Sequence, residues 1–223
     1  MSYDAIIFDF DGVLISGRRT PRGVYERATR EVLRAFGRPD IDSWPIDLQK
    51  PSTATEFRTI CSKFDLPPEP AWTYREAAAT TIEHEWIGGP DRQRFPDVDV
   101  LQTLAETYPI AIASNNRNAL VGHCIDRFGW EDMIAAYRGR YPTLEEYDQR
   151  KPNPCLIQWV VDDLSIETPL YVGDRETDVM AADRIGCDSV LLRRREYDSP
   201  DDSNSTFEIT SLTELPKIAG MTG

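Results

Sequence analysis

Positive charge is scarce in this chain. Its 223 residues include 25 lysines and arginines against 38 aspartates and glutamates, a net charge of -13 at pH 7, and only four of the basic residues are lysines. Such an acidic chain repels nucleic acids and anionic lipid surfaces at long range, so we expect neither as a partner. The acidic excess itself fits either an ordinary acidic protein or adaptation to high intracellular salt.

Long apolar runs and paired cysteines are also missing. No run approaches the roughly 18 apolar residues of a membrane-spanning helix, and the N-terminus lacks the basic start of a signal peptide. The four cysteines lie far apart and form neither a CxxC pair nor a metal-ligand spacing. They are Cys61, Cys124, Cys155 and Cys187. We interpret them as reduced, mostly buried thiols. These features predict a cytoplasmic protein that does not enter a membrane.

Four short and nearly unbroken apolar runs predict strands buried on both faces of a parallel sheet. They are residues 5–8, 110–113, 170–172 and 190–192. Apolar residues at helical spacing lie between them, over 120–128, 156–164 and 180–185. Hydrophobic residues make up 40% of the chain, and a chain of 223 residues is long enough to bury a sizeable core. We therefore predict an α/β fold with a doubly wound, Rossmann-like parallel sheet.

Residues 16–89 interrupt this alternation of strand and helix. Amphipathic helical patterns occur over 54–64 and 72–86, without a convincing strand pattern, and proline-rich and glycine-rich breaks lie at 67–70 and 88–90. The sequence therefore predicts an inserted α-helical domain at 16–89. Residues 1–15 and 90–223 are expected to form the α/β catalytic core.

Polar motifs directly follow three of the predicted strands. Asp9 and Asp11 come after the first strand, Ser114 and Asn115 after the second, and Asp174 after the third. Because the carboxyl ends of parallel strands meet at one edge, where open α/β sheets bind ligands, we expect these side chains to converge. Residues two apart in an extended chain also point the same way, which places Asp9 and Asp11 together.

The acidic residues among these motifs predict a cation site. Carboxylates held together repel each other unless a cation lies near them, and oxygen ligands suit Mg²⁺. The expected ligands are Asp9, Asp11, Asp174 and Asp178. The competing interpretation is that these acids are turn residues or helix caps. The turn or cap interpretation explains a single Asp-x-Asp pair well, and it also explains Asp178 at a helix start. It explains the four acids together less well.

The motifs together resemble those of the haloacid dehalogenase-like hydrolases, in particular the phosphoglycolate phosphatase-like branch. They occur in the family's order as Asp9-Phe10-Asp11-Gly12-Val13, Ser114, Lys151-Pro152 and Gly173-Asp174-Arg175-Glu176-Thr177-Asp178. The resemblance covers about residues 3–16 and 90–195. The family places a helical cap between its first and second motifs, where residues 16–89 lie. Arg175 and Glu176 are bulkier than the small residues often found at these positions.

The resemblance implies a role for each motif residue. Asp9 is the nucleophile that forms an aspartyl phosphate, and Asp11 is the acid/base that protonates the leaving oxygen and then activates water. Ser114 donates a hydrogen bond to a phosphate oxygen, and Lys151 places positive charge against Asp9 and the phosphoryl group. Asp178 is either an outer metal ligand or a partner that orients Lys151. Substrate contacts are expected from Gly12, Ser114, Asn115 and Lys151.

These roles predict a Mg²⁺-dependent phosphatase that hydrolyses a small phosphorylated metabolite. A sugar phosphomutase would keep the same residues and stays open as an alternative. A dehalogenase of this family lacks the acid two residues after the nucleophile, so Asp11 argues against it. A non-catalytic binding module has no reason to keep all four motifs. Because the cap supplies the selective contacts in this family, the substrate itself is not predicted.

A few residues outside the motifs have two interpretations each. Lys50, in the insertion, faces the site or is an ordinary surface lysine. The basic residues after the first motif either meet an anionic substrate or are simply solvated; they are Arg18, Arg19 and Arg22. His84 and His123 lie on helical patterns without a partner at metal-ligand spacing, so we expect satisfied or exposed histidines.

Overall fold

Six strands form a parallel sheet at the centre of this protein, whose computed structural model describes residues 3–17, 19–38, 46–195 and 204–221. The strands are β1 Ala5–Phe8, β2 Ile110–Arg117, β3 Ile134–Arg140, β4 Pro169–Gly173, β5 Asp188–Leu192 and β6 Phe207–Ile209. They lie in the order β3-β2-β1-β4-β5-β6, and all neighbours pair in parallel. The four predicted strands are confirmed.

Ten α-helices and two short 3-10 helices lie between the strands or after the last one. The α-helices are α1 Arg22–Ala35, α2 Ile46–Gln49, α3 Ala54–Lys63, α4 Pro68–His84, α5 Val100–Ala105, α6 Asn118–Phe128, α7 Leu144–Asp148, α8 Cys155–Leu164, α9 Glu176–Asp183 and α10 Leu215–Ile218, and the 3-10 helices are Pro96–Asp99 and Leu212–Glu214. These counts refer to the residues described above. No helix among them is long and apolar enough to span a membrane.

Alternate side chains of β1 enter two apolar clusters, one on each face of the sheet. Ile6 and Phe8 pack in a cluster that includes Leu120 of α6, whereas Ile7 packs in a second cluster with Ile157 of α8. Full burial of each such side chain stabilises the fold by about 1.5–3 kcal/mol. Helices on both faces explain why the strand sequence is apolar throughout, and the predicted doubly wound, Rossmann-like α/β class is confirmed.

The strand order reverses at β1, which is the first strand in sequence and lies between β2 and β4. In the register, Phe8 is paired with Ile112 on one side and with Val172 on the other. The residues that follow these three positions therefore lie side by side at one edge of the sheet. This is the edge at which open α/β sheets bind ligands.

Helices α1 to α4 occupy the chain between β1 and β2, as the patterns at 54–64 and 72–86 predict. Their apolar residues form two clusters. In the cluster that also contains Leu144 and Tyr147 of α7, the Trp72 ring lies 4.9 Å from Phe57 and 4.5 Å from Tyr147. Helix α3 begins where Thr53 accepts a hydrogen bond from the Glu56 amide. Residues 18 and 39–45 of the insertion lie outside the described part. The division at 15/16 and 89/90 stays a prediction.

Candidate functional site

A small cavity of about 40 Å³ opens where β1, β2 and β4 end. Its lining contains most of the predicted site residues, namely Asp9, Asp11, Ser114, Asn115, Lys151 and Asp178, together with Arg175 and Thr177. The sheet register thus brings residues more than 100 positions apart to one place, as the motif positions predict.

Lys151 is the buried cation of this site. Its Nζ lies 2.7 Å from Oδ1 of Asp9 and 2.6 Å from Oδ1 of Asp178, and it donates to the Tyr171 hydroxyl at 2.6 Å. Burial alone would lower the pKa of Lys151, but Asp178 and Asp9 outweigh it and the pKa is raised. The ammonium therefore stays charged beside the candidate nucleophile.

Three buried aspartates form an acidic group at the same edge. Oxygens of Asp9, Asp174 and Asp178 lie within 4.8 Å of one another. Gly12, at φ +84°, leaves room for this group, because a Cβ there would lie 2.4 Å from Oδ2 of Asp174. Carboxylate oxygens packed this closely fit a hard divalent cation such as Mg²⁺. The donor chemistry therefore agrees with the predicted metal, and the ligand assignment stays a prediction.

Asp11 does not share in this acidic group, contrary to the expectation of a fourth carboxylate ligand. Its Oδ1 accepts from Nη2 of Arg92 at 2.6 Å, and its Oδ2 accepts from Nδ2 of Asn116 at 2.8 Å. The strand ends at Phe8, so the alternation of an extended chain no longer applies at Asp11. The carboxylate is held by Arg92 and Asn116 instead.

Asn115 and Ser114 line the small cavity and make different contacts. The Asn115 side chain accepts from the Lys151 amide at 2.8 Å and donates to the Lys151 carbonyl at 3.3 Å, so it fixes the segment that carries the lysine. The Ser114 hydroxyl accepts from the Asn116 amide at 3.2 Å, which leaves its own hydrogen to donate. Their substrate contacts, and those of Gly12, stay predictions.

Several residues that hold the site were missed by sequence reasoning. Arg194 donates to the carbonyls of Gly12 and Val13 at 3.1 and 2.6 Å and pairs with Asp97, so it secures the loop after β1. Asn116 was visible as the last residue of the Ser-Asn-Asn motif. Arg92 and Arg194 carry no comparable signal, because neither lies in a motif.

A larger cavity of about 570 Å³ extends from this edge of the sheet toward helices α2 and α4. Its lining holds two acids, Asp11 and Asp148, and seven bases, which are Arg19, Lys50, Arg75, Arg140, Arg150, Lys151 and Arg175. Arg75 and Arg140 pair with Glu76, and Lys151 pairs with Asp9 and Asp178. The remaining positive charge in this cavity attracts anions. Burial, and then Arg19 and Arg22, lower the pKa of Lys50. Of the two interpretations of Lys50, the structure supports the one that faces the site.

Comparison with known proteins gives one family. The sequence profile described as haloacid dehalogenase-like hydrolase matches residues 6–192. A phosphoglycolate phosphatase of Xanthomonas campestris pv. campestris (strain 8004) is 26% identical over 224 residues, which cover 95% of this chain and 92% of that protein. One of Aliivibrio fischeri is 28% identical over 123 residues, about half of each chain.

The solved structures agree with the fold. CbbY from Rhodobacter sphaeroides, solved in complex with phosphate, superposes with a TM-score of 0.68 at 17% identity, and the match covers 96% of both chains. Similarity at this level of identity supports the architecture alone.

Proposed function

Because the chain belongs to the haloacid dehalogenase-like hydrolases, we propose that it is a Mg²⁺-dependent phosphatase acting through an aspartyl phosphate at Asp9. The observation that carries this proposal is the contact of Lys151 with Asp9, beside the acidic group of Asp9, Asp174 and Asp178. The expected hydrolase class is confirmed by the family. The requirement for Mg²⁺, the aspartyl phosphate intermediate and the identity of the substrate are our proposals.

In the first half-reaction, Asp9 attacks phosphorus and the bond to the leaving oxygen breaks. Lys151 balances the charge of the nucleophile and of the phosphoryl oxygens, and the Ser114 hydroxyl donates to one of them. Asp9, Asp174 and Asp178 would hold the cation, which when bound screens the repulsion between carboxylate and phosphate. Burial of Lys151, at 5% exposure, strengthens its effect by excluding water.

Asp11 completes both half-reactions by moving one proton. It gives the proton to the leaving oxygen and later takes one from the water that attacks the aspartyl phosphate. Its position at the junction of the small and large cavities supports this role, since it lines both. The free products are inorganic phosphate and an alcohol.

The substrate is proposed to be a small phosphorylated carboxylic acid. Two observations support this: the curated relatives are named phosphoglycolate phosphatases, and seven basic side chains line a cavity of about 570 Å³. The phosphate occupies the catalytic edge, which leaves Arg19, Lys50 and Arg150 for a second anionic group. We further propose that residues 16–89 are the cap domain, since Lys50 and Arg75 of this segment line the same cavity.

A phosphate-release screen over phosphorylated metabolites tests the proposal. The wild type is assayed with Mg²⁺ and with chelator, beside Asp9→Asn. We expect release that requires Mg²⁺, is lost in D9N and is greatest for phosphorylated carboxylic acids. Activity that survives both chelation and D9N would contradict the mechanism. A phosphate shifted on the same sugar, in place of free phosphate, would identify the phosphomutase alternative.

A further inference from the structure

Two buried residues outside the four motifs connect Asp11 to helix α4 of the insertion. Nη2 of Arg92 lies 2.6 Å from Oδ1 of Asp11 and 2.9 Å from Oε1 of Glu83. Glu83 lies near the end of α4 and also contacts Arg117, the last residue of β2. The Arg92 and Glu83 side chains are both 0% exposed. A chain of ion pairs therefore runs from the insertion to the proposed acid/base.

The charges in this chain balance each other. When Asp11 is ionised, ready to take a proton from water, Asp11 and Glu83 supply two negative charges, and Arg92 and Arg117 supply two positive charges. Burying a charge is costly unless it is paired, and removing one partner leaves another charge uncompensated. Each member therefore depends on its neighbours for its position.

Arg92 has little freedom to move. Its Nη1 donates to the carbonyls of Ser16 and Gly17 at 2.9 and 3.2 Å, in the loop that leaves β1. The guanidinium is planar, so these contacts also fix the direction of Nη2. The Asp11 carboxylate is then held at both oxygens, by Arg92 on one side and by Asn116 on the other. Each oxygen keeps a second acceptor position, which can carry the transferred proton.

We propose that Arg92 and Glu83 are positioning residues for proton transfer: Glu83 holds Arg92, and Arg92 sets the direction of the Asp11 carboxyl group. The inference rests on the proposed function, in which Asp11 moves the proton. Neither residue touches the nucleophile or the acidic group in the contacts that the described residues make. Their substitution should therefore weaken proton transfer and leave attack by Asp9 in place.

Two aryl esters of similar shape separate these effects. Phenyl phosphate needs a proton on its leaving oxygen, whereas p-nitrophenyl phosphate has a leaving group stable enough to depart with little protonation. For each ester, kcat/KM reports the steps up to phosphoryl transfer to Asp9. Both are measured with Mg²⁺ for the wild type, Glu83→Gln and Arg92→Lys.

Glu76→Gln is the matched control. Glu76 lies two turns earlier on α4, is 1% exposed, and also pairs with two arginines, Arg75 and Arg140. Its substitution disturbs a buried ion pair on the same helix without reaching Asp11. Thermal melts of all variants monitor folding, and R92K, which keeps the charge, decides the test if E83Q does not fold.

We expect E83Q and R92K to lower kcat/KM about tenfold for phenyl phosphate and less than about twofold for p-nitrophenyl phosphate. A positioned proton donor typically raises the rate about 10²–10⁴-fold, so a tenfold loss corresponds to losing part of this contribution. E76Q should change both values by one common factor. Equal losses for the two esters in E83Q and R92K would overturn the positioning role. A wild type that releases phosphate neither from these esters nor from any phosphorylated carboxylic acid of the screen would overturn the proposed function itself.

Discussion

Nζ of Lys151 lies 2.7 Å from Oδ1 of Asp9, with both side chains almost withdrawn from solvent. Lys151→Gln should lower kcat by about 10²–10³-fold, since a buried group that stabilises developing charge contributes this much. It should also lower the unfolding free energy of the metal-free protein by about 3–5 kcal/mol, because buried carboxylates lose their counterion.

Steady-state kinetics and urea unfolding check both effects. Lys217→Gln, at an exposed lysine of α10, is the control and should change neither. A K151Q variant whose kcat stays within about twofold of the wild type would show that the ammonium is not needed for transfer.

The acidic group predicts stabilisation by Mg²⁺. A ligand that binds only the folded state at about 100 times its Kd adds about 2.7 kcal/mol, so Mg²⁺ should raise the melting temperature of the wild type. Asp174→Asn should abolish this rise, because it removes one of three close carboxylates. Asp183→Asn, at an exposed position of α9, should keep it. Equal shifts in D174N and D183N would place the cation elsewhere.

Gly12 is predicted to tolerate no side chain. At φ +84°, alanine is strained by roughly 1–2 kcal/mol, and its Cβ would also meet Oδ2 of Asp174 at 2.4 Å. Gly12→Ala should therefore lose both phosphatase activity and the Mg²⁺-induced rise in melting temperature.

Gly129 provides the comparison for strain alone. It has φ +67°, and a Cβ there would meet no described atom within 4 Å. Gly129→Ala should lose about 1 kcal/mol of unfolding free energy and keep full activity. If G12A and G129A behave alike, close packing of Gly12 against Asp174 is not a requirement of the site.

The two histidines predict a pH dependence of stability. His84 of α4 and His123 of α6 stack with ring centroids 3.8 Å apart. Burial, then His123 and Arg117, lower the pKa of His84. A base with a lower pKa in the folded state binds its proton more readily when unfolded. Its contribution is present above the unfolded pKa of about 6.5 and is lost as pH falls below it.

Urea unfolding at about pH 7.5 and about pH 5.5 checks this. The wild type should lose more unfolding free energy between these values than His84→Phe, in which the titrating ring is absent. Carboxylates contribute to acid sensitivity in both proteins, so only the difference between them reports on His84. An equal loss in the two proteins would contradict the shifted pKa.

The sheet was predictable from sequence where its strands are buried on both faces. β1 and β4 are apolar throughout, so short runs without alternation identified them. β3 was missed because its residues mix buried, exposed and charged side chains, with Arg140 directed to Glu76 of α4. β6 has three residues, too few for a periodic pattern.

The part of the site that directly follows buried strands was predictable from the sequence. Asp9 and Asp174 each follow an apolar run, and the ends of parallel strands meet at one edge of the sheet. Arg92 could not be predicted, because its contact with Asp11 spans 81 positions and depends on how the insertion returns to the core. The direction of the Asp11 carboxylate depends on the same contact.

Trapping of the aspartyl phosphate tests the central claim most directly. A reaction of the wild type with Mg²⁺ and a hydrolysed substrate is quenched and reduced with borohydride, which converts an aspartyl phosphate to homoserine. Peptide mass spectrometry then locates the change. The account predicts homoserine at position 9, dependent on Mg²⁺ and substrate and absent from D9N. Rapid turnover with unmodified Asp9, or homoserine at another aspartate, would contradict it.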